Sequence, residues 1–147
     1  MEFSVPFVFL GDFFMNIKYF NIAKEVSKLS DFKRIKIGCC IVLKHEVIAT
    51  GYNTKKSHPL QAKLNHLRFN DHFDECNHYI HAELRAILSC RDIDLTKAVL
   101  YGYREDRFGN MQMCRPCDAC LYAIKEAGIR TIYYTTRDGY VKEELIY

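Results

Sequence analysis

Two short stretches carry side chains able to do chemistry together: His81-Ala82-Glu83 and Pro116-Cys117-Asp118-Ala119-Cys120. One imidazole and two thiolates suit a Zn²⁺ ion by softness and size. Three protein ligands leave its fourth position open to water, the layout of a catalytic zinc site; a structural site closes all four. Cys117 and Cys120 stand three apart, which on the first turn of a helix puts both sulfurs on one side. Pro116 suits the position just ahead of that turn, where its missing N–H costs little. The partial positive charge of a helix N-terminus also favours the thiolate form. A second helix opening at His81 would point its N-terminus at the same ion. Glu83 would then reach the water without being a ligand. Two alternatives stay open on the residues alone. Cys114 extends the pattern to C-x-x-C-x-x-C, so a closed Cys₃His site is arithmetically available, and C-x-x-C pairs also serve as redox dithiols.

The pairing of H-x-E with P-C-x-x-C is the signature of the zinc deaminases. On these residues the chain resembles the cytidine/deoxycytidylate deaminase superfamily, and within it the small deoxycytidylate-deaminase-like proteins of bacteria and phages. The likeness covers roughly residues 16–136 and is concentrated in the two zinc motifs. It implies hydrolytic deamination. Zn²⁺ held by His81, Cys117 and Cys120 would bring the pKa of water in the open position towards 7. Glu83 would pass the water proton to the ring nitrogen and then to the leaving amine. The resulting hydroxide would attack C4 of cytosine or C6 of adenine. The resemblance also nominates Asn53, Ala82 and Tyr134 for substrate binding, the loop 105–116 as the border of the pocket, and self-association of the chain. Arg85 departs from the family, since many deoxycytidylate deaminases carry Asn there. Arg107 and Arg115 are candidates to meet a phosphate. The expected substrate is cytosine in a free nucleotide or nucleoside such as dCMP or cytidine. Cytosine or adenine in single-stranded DNA or RNA is the alternative; it needs an open groove, stacking aromatics and several basic contacts. A non-enzymatic zinc-binding module, with Glu83 incidental, is the reading from another class.

The 147 residues suit one domain with a single core. With 27% charged and 49% hydrophobic residues the chain is globular rather than disordered. A formal net charge of +3 permits nucleotide or nucleic-acid binding without demanding it. Seven cysteines, an odd number with three in one cluster, point to a reducing compartment, the cytoplasm, and not to a disulfide framework. Residues 1–14 are apolar but lack a basic n-region and a cleavage site, and they are too short to span a bilayer. They read as an N-terminal extension ahead of an alternative start at Met15.

The elements that must position these residues follow from periodicity. Residues 16–30 read as an amphipathic helix with Tyr19, Ile22, Ala23, Val26 and Leu29 on its apolar face. Ile37–Leu43 reads as a strand buried on both faces, with a turn and then a returning strand, Val47–Tyr52. Within 54–80 a short helix over Leu60–Phe69 is expected; the rest reads as polar surface loop, with a second zinc site on His72, Cys76 and His78 as the less favoured alternative. Then come a helix over 81–91, a strand over Lys97–Arg104, a helix over Cys117–Ala127 stopped by Gly128, and a strand over Ile129–Thr136. Arg137-Asp138-Gly139 signals a hairpin into a last strand over Tyr140–Ile146, which could instead be a short helix from Val141. This order predicts a three-layer α/β/α sandwich on a mixed five-stranded sheet.

Overall fold

The computed structural model describes residues 10–68 and 77–146, with the backbone course alone for 10–16. Five strands form one sheet: β1 (Lys36–Leu43), β2 (Glu46–Tyr52), β3 (Val99–Glu105), β4 (Thr131–Thr136) and β5 (Gly139–Glu144). Their spatial order is β2-β1-β3-β4-β5. Only β3 and β4 run parallel; the other neighbours are antiparallel. A parallel pair needs a crossover, and the chain between β3 and β4 supplies it as a helix. That helix is α4 (Asp118–Glu126), and α3 (Ala82–Leu88) lies on the same side of the sheet. The helix α1 (Leu10–Ser27) covers the other face. A short helix α2 (Pro59–Leu64) runs into a 3₁₀ turn (Asn65–Leu67). The three layers and the mixed sheet are those expected.

β1 is buried from Gly38 to Val42. Its alternate residues serve two cores, as the period of two dictates. Cys39 and Ile41 join Leu100, Ile132, Ala82, Ala86 and Ile124 on the α3/α4 side. Cys40 and Val42 join Tyr101, Tyr103, Tyr19, Phe20 and Ala23 under α1. Much of the aromatic content is used here. Tyr101 and Tyr133 stack with centroids 4.6 Å apart, and Phe20 stacks on Tyr140 at 4.2 Å. Two glycines let helices approach the sheet this closely. A Cβ at Gly38 would lie 2.2 Å from the Ala23 carbonyl oxygen, and one at Gly51 2.2 Å from that of Ala82.

Three expectations need correction. The first helix begins at Leu10 rather than residue 16, so its backbone shows no boundary at Met15. Its buried stripe is Tyr19, Phe20, Ala23 and Ser27, rotated about one residue from the predicted face. Leu29 lies beyond the helix end and is 63% exposed. In α4, Ala119, Cys120, Ala123 and Ile124 are buried, and the half-buried Leu121 and Ala127 pack against the same core. The alternative helix from Val141 does not form, since β5 pairs with β4 from Gly139↔Thr136 to Glu144↔Thr131. Gly128 does end α4, with φ +98 in the left-handed region that favours glycine. Among the described residues no helix is long and apolar enough to cross a membrane.

Candidate active site and metal centre

The N-termini of α3 and α4 meet at one point. His81 is the N-cap of α3, at φ −83 and ψ 157, and Cys117 is the N-cap of α4, at φ −70 and ψ 171. Cys120 follows on the first turn of α4 and Glu83 on the first turn of α3. His81 Nδ1 lies 3.6 Å from Cys117 Sγ and 3.4 Å from Cys120 Sγ. Zinc bonds of about 2.3 Å to sulfur and about 2.0 Å to nitrogen put tetrahedral neighbours about 3.6 Å apart, so this spacing fits a zinc-sized ion. Among the described residues no fourth His, Cys, Asp or Glu joins the three. Cys114 is not a member, which argues against the closed Cys₃His arrangement. Its backbone N–H bonds the Thr135 carbonyl, and its sulfur sits against Gly102.

The electrostatics suit metal capture. Cys117 accepts hydrogen bonds from the Cys120 thiol and the His81 ring, which holds it well below the usual thiol range, to about 4. Cys120, as the donor of the pair and buried besides, is pushed up. The pair therefore holds one thiolate ready and one proton for a metal to displace. Glu83 is 6% exposed. Burial pushes its carboxyl up; the His81 charge opposes this and the Cys117 charge adds to it. Arg68 Nη1 lies 3.0 Å from His81 Nε2.

A cavity of about 630 Å³ opens over this group, lined by His81, Glu83 and Cys117 at its metal end. Asn53 lines it too, but its side chain is bonded at both ends. Oδ1 accepts from the Ile37 N–H at 2.9 Å, and Nδ2 donates to the Ile35 carbonyl at 2.7 Å. Each end retains one hydrogen-bonding position. Ala82 is wholly buried and Tyr134 nearly so, and neither lines the cavity. Tyr134 stands one step back: its hydroxyl donates to Glu143 Oε1 at 2.9 Å, and Glu143 holds Arg115. The loop after β3 borders the cavity as expected, through Met113, Cys114 and Arg115. Arg107 does not line it; its guanidinium stacks 4.9 Å over the exposed Phe108 ring. Arg85 is also turned away, 4.3 Å over the Tyr52 ring.

The sequence reading missed a buried polar chain that fixes the backbone of His81. Gln61 Oε1 accepts from the His81 N–H at 3.0 Å, and Gln61 Nε2 donates to Asn65 Oδ1 at 2.8 Å. Asn65 Nδ2 then meets His78 Nδ1 at 2.9 Å. Gln61 and Asn65 are both fully buried. A Gln and an Asn at i and i+4, set among Leu60, Ala62 and Leu64, were the available signal. His72 and Cys76, two members of the suggested second zinc site, lie outside the described residues.

Comparison with known proteins agrees with the geometry. The deoxycytidylate deaminase of Mycobacterium phage D29 is 29% identical over 125 residues, covering 79% of this chain and 90% of that protein. The ComE operon protein 2 of Bacillus subtilis is 33% identical over 102 residues, covering 69% of this chain but only 48% of its own length. In fold, the chain is similar to the dCMP deaminase of the cyanophage S-TIM5 solved with dCMP and dUMP. The TM-score is 0.58 at 19% identity, over 83% of this chain and 81% of that one. Residues 15–136 match the model of the cytidine and deoxycytidylate deaminase zinc-binding region, and with a His/Cys/Cys group at the joined ends of two helices, the chain belongs to the cytidine and deoxycytidylate deaminase family of enzymes.

Proposed function

We propose that the protein is a zinc-dependent hydrolase that converts cytosine to uracil in a free nucleotide or nucleoside of the dCMP or cytidine class. One observation carries this reading: a three-donor group with tetrahedral spacing and a buried carboxyl, Glu83, together at the end of one cavity. His81, Cys117 and Cys120 hold the ion. Zinc, when bound, makes water a nucleophile near neutral pH. Glu83 carries the protons, first from water to N3 of the ring and then to the departing amine, so that ammonia leaves and a carbonyl remains at C4. Its burial keeps bulk water from competing for that proton. Phe32 and Tyr79, in edge contact at 5.9 Å, wall the cavity, and Asn53 offers its remaining donor and acceptor to the substrate. The cavity volume is in the range of small-ligand sites. The phage relatives support the base: dUMP is dCMP with its amine replaced by a carbonyl, which is this reaction.

The test is ammonia release by the zinc-loaded protein from dCMP, deoxycytidine, cytidine, dAMP and a cytosine-containing oligonucleotide. Turnover of the free cytosine compounds is expected. Glu83→Gln should retain one zinc per chain and lose activity by about 10²–10⁴-fold. Activity confined to the oligonucleotide, or full activity in Glu83→Gln, overturns the reading.

A further inference from the structure

Three arginines line the cavity, and the structure separates them by what their guanidinium groups already bond. Arg115 holds Glu143 with two parallel bonds, Nε to Oε1 at 2.9 Å and Nη2 to Oε2 at 2.8 Å. Its charge is met there. Arg68 stands at the metal end, against His81. Arg104 is different. Of its five N–H donors, one makes a hydrogen bond, Nη1 to the Met113 carbonyl at 3.3 Å. Its Nε is buried with no partner. Among the described residues no carboxylate pairs with it, and the one carboxylate among those lining the cavity is Glu83, buried beside the metal group. A buried guanidinium N–H without a partner is rare enough in a folded chain to require an explanation.

The backbone of Arg104 is also firmly held. It lies on β3 in register with Ile37, on the sheet face that carries the site. Its N–H donates to Thr135 Oγ1 at 3.2 Å, and its carbonyl accepts from the Gln112 N–H at 2.9 Å. A planar fork of donors on a fixed strand suits a tetrahedral oxyanion, which it can meet with two bonds.

We infer that Arg104 binds the 5′-phosphate of the substrate and makes the site prefer a nucleoside monophosphate to the free nucleoside. This rests on the proposed deamination reading. It also replaces Arg107 and Arg115, the arginines the sequence suggests, by one that lines the cavity and has no carboxylate partner among the described residues.

The experiment uses the zinc-loaded full chain, with kcat and KM measured for dCMP and for deoxycytidine, and dUMP and deoxyuridine binding measured by calorimetry. Wild-type protein is expected to favour dCMP. Arg104→Gln should raise KM for dCMP by about 30–100-fold, the loss of a charge-assisted pair, and change that for deoxycytidine far less. The affinity for dUMP should fall in parallel, and Arg104→Lys should recover part of both. Zinc content and melting temperature identify a variant that has lost its fold; in that case Arg104→Lys alone decides, by whether its dCMP-to-deoxycytidine ratio falls. Equal losses for both substrates, or an unchanged ratio, overturn the role of Arg104 and leave the deamination reading standing. Ammonia release from neither compound by the wild type removes both.

Discussion

Replacing Gln61 by leucine tests whether the buried polar chain positions the metal ligand. The two side chains are similar in size, so the change is chiefly one of polarity. In the wild type, Gln61 is fully buried and bonds the His81 N–H at 3.0 Å and Asn65 Oδ1 at 2.8 Å. Leucine would leave both buried groups without these partners, at about 1–3 kcal/mol each. Burying the apolar replacement returns about 1–2 kcal/mol. The expected net loss is about 2–3 kcal/mol in urea unfolding of the metal-free protein. The second consequence concerns the site. The His81 N–H bond fixes the residue that caps α3, so its loss loosens the imidazole against the two sulfurs. Removal of such a support typically weakens metal binding by about 10–100-fold. Competition for zinc against a chromophoric chelator measures this. Wild-type unfolding free energy together with wild-type zinc affinity in Gln61→Leu would refute the assigned role of this chain.

The glycine contacts predict two different failures. A Cβ at Gly51 meets backbone of α3, at 2.2 Å from Ala82 O and 2.7 Å from Ala86 N, so Gly51→Ala should displace His81 and Glu83 and weaken zinc binding as well as stability. A Cβ at Gly38 meets backbone of α1 instead, at 2.2 Å from Ala23 O, so Gly38→Ala should cost about 3 kcal/mol or more while leaving zinc affinity near wild type. Chelation should lower the melting temperature, because the ion clamps the ends of α3 and α4. A free-zinc level about 100 times Kd adds about 2.7 kcal/mol, or roughly 5–10 °C for a chain of this size. Glu143 titrates below its ordinary value because Arg115 bonds its carboxylate. Its folded pKa is depressed, so the pair stabilises above about pH 4.5 and that contribution disappears as pH falls through the folded value. Glu143→Gln should therefore be less stable than wild type at pH 7, by under about 1 kcal/mol given the pair's exposure, and equal to it in strong acid.

Some of this was legible in one dimension. The metal group was, because each half is local: a helix N-terminus imposes the geometry of His81 with Glu83, and of Cys117 with Cys120. The five strands and the terminal hairpin were also readable, from runs of apolar residues and from the Arg137-Asp138-Gly139 turn. The rotation of α1 was not. Phe20 packs inward because Tyr101, Tyr133 and Tyr140 form its socket, and these lie on three strands far along the chain.

The sequence by itself determined the chemistry: which donors exist, how they are spaced on a helix turn, and therefore which ion they suit and which carboxyl lies beside them. Only the tertiary structure decided the choice among equivalent residues. Three cysteines share one spacing, but Cys114 is drawn into the sheet by a bond to Thr135 while Cys117 and Cys120 face His81. Three arginines, Arg104, Arg107 and Arg115, lie at the end of β3 and in the loop that follows it, but Glu143, brought alongside by β5, occupies one of them, and Phe108 carries another. The reason is physical. A side chain's type and its place on its own element are local properties, whereas its remaining hydrogen-bonding capacity depends on partners that folding alone brings near.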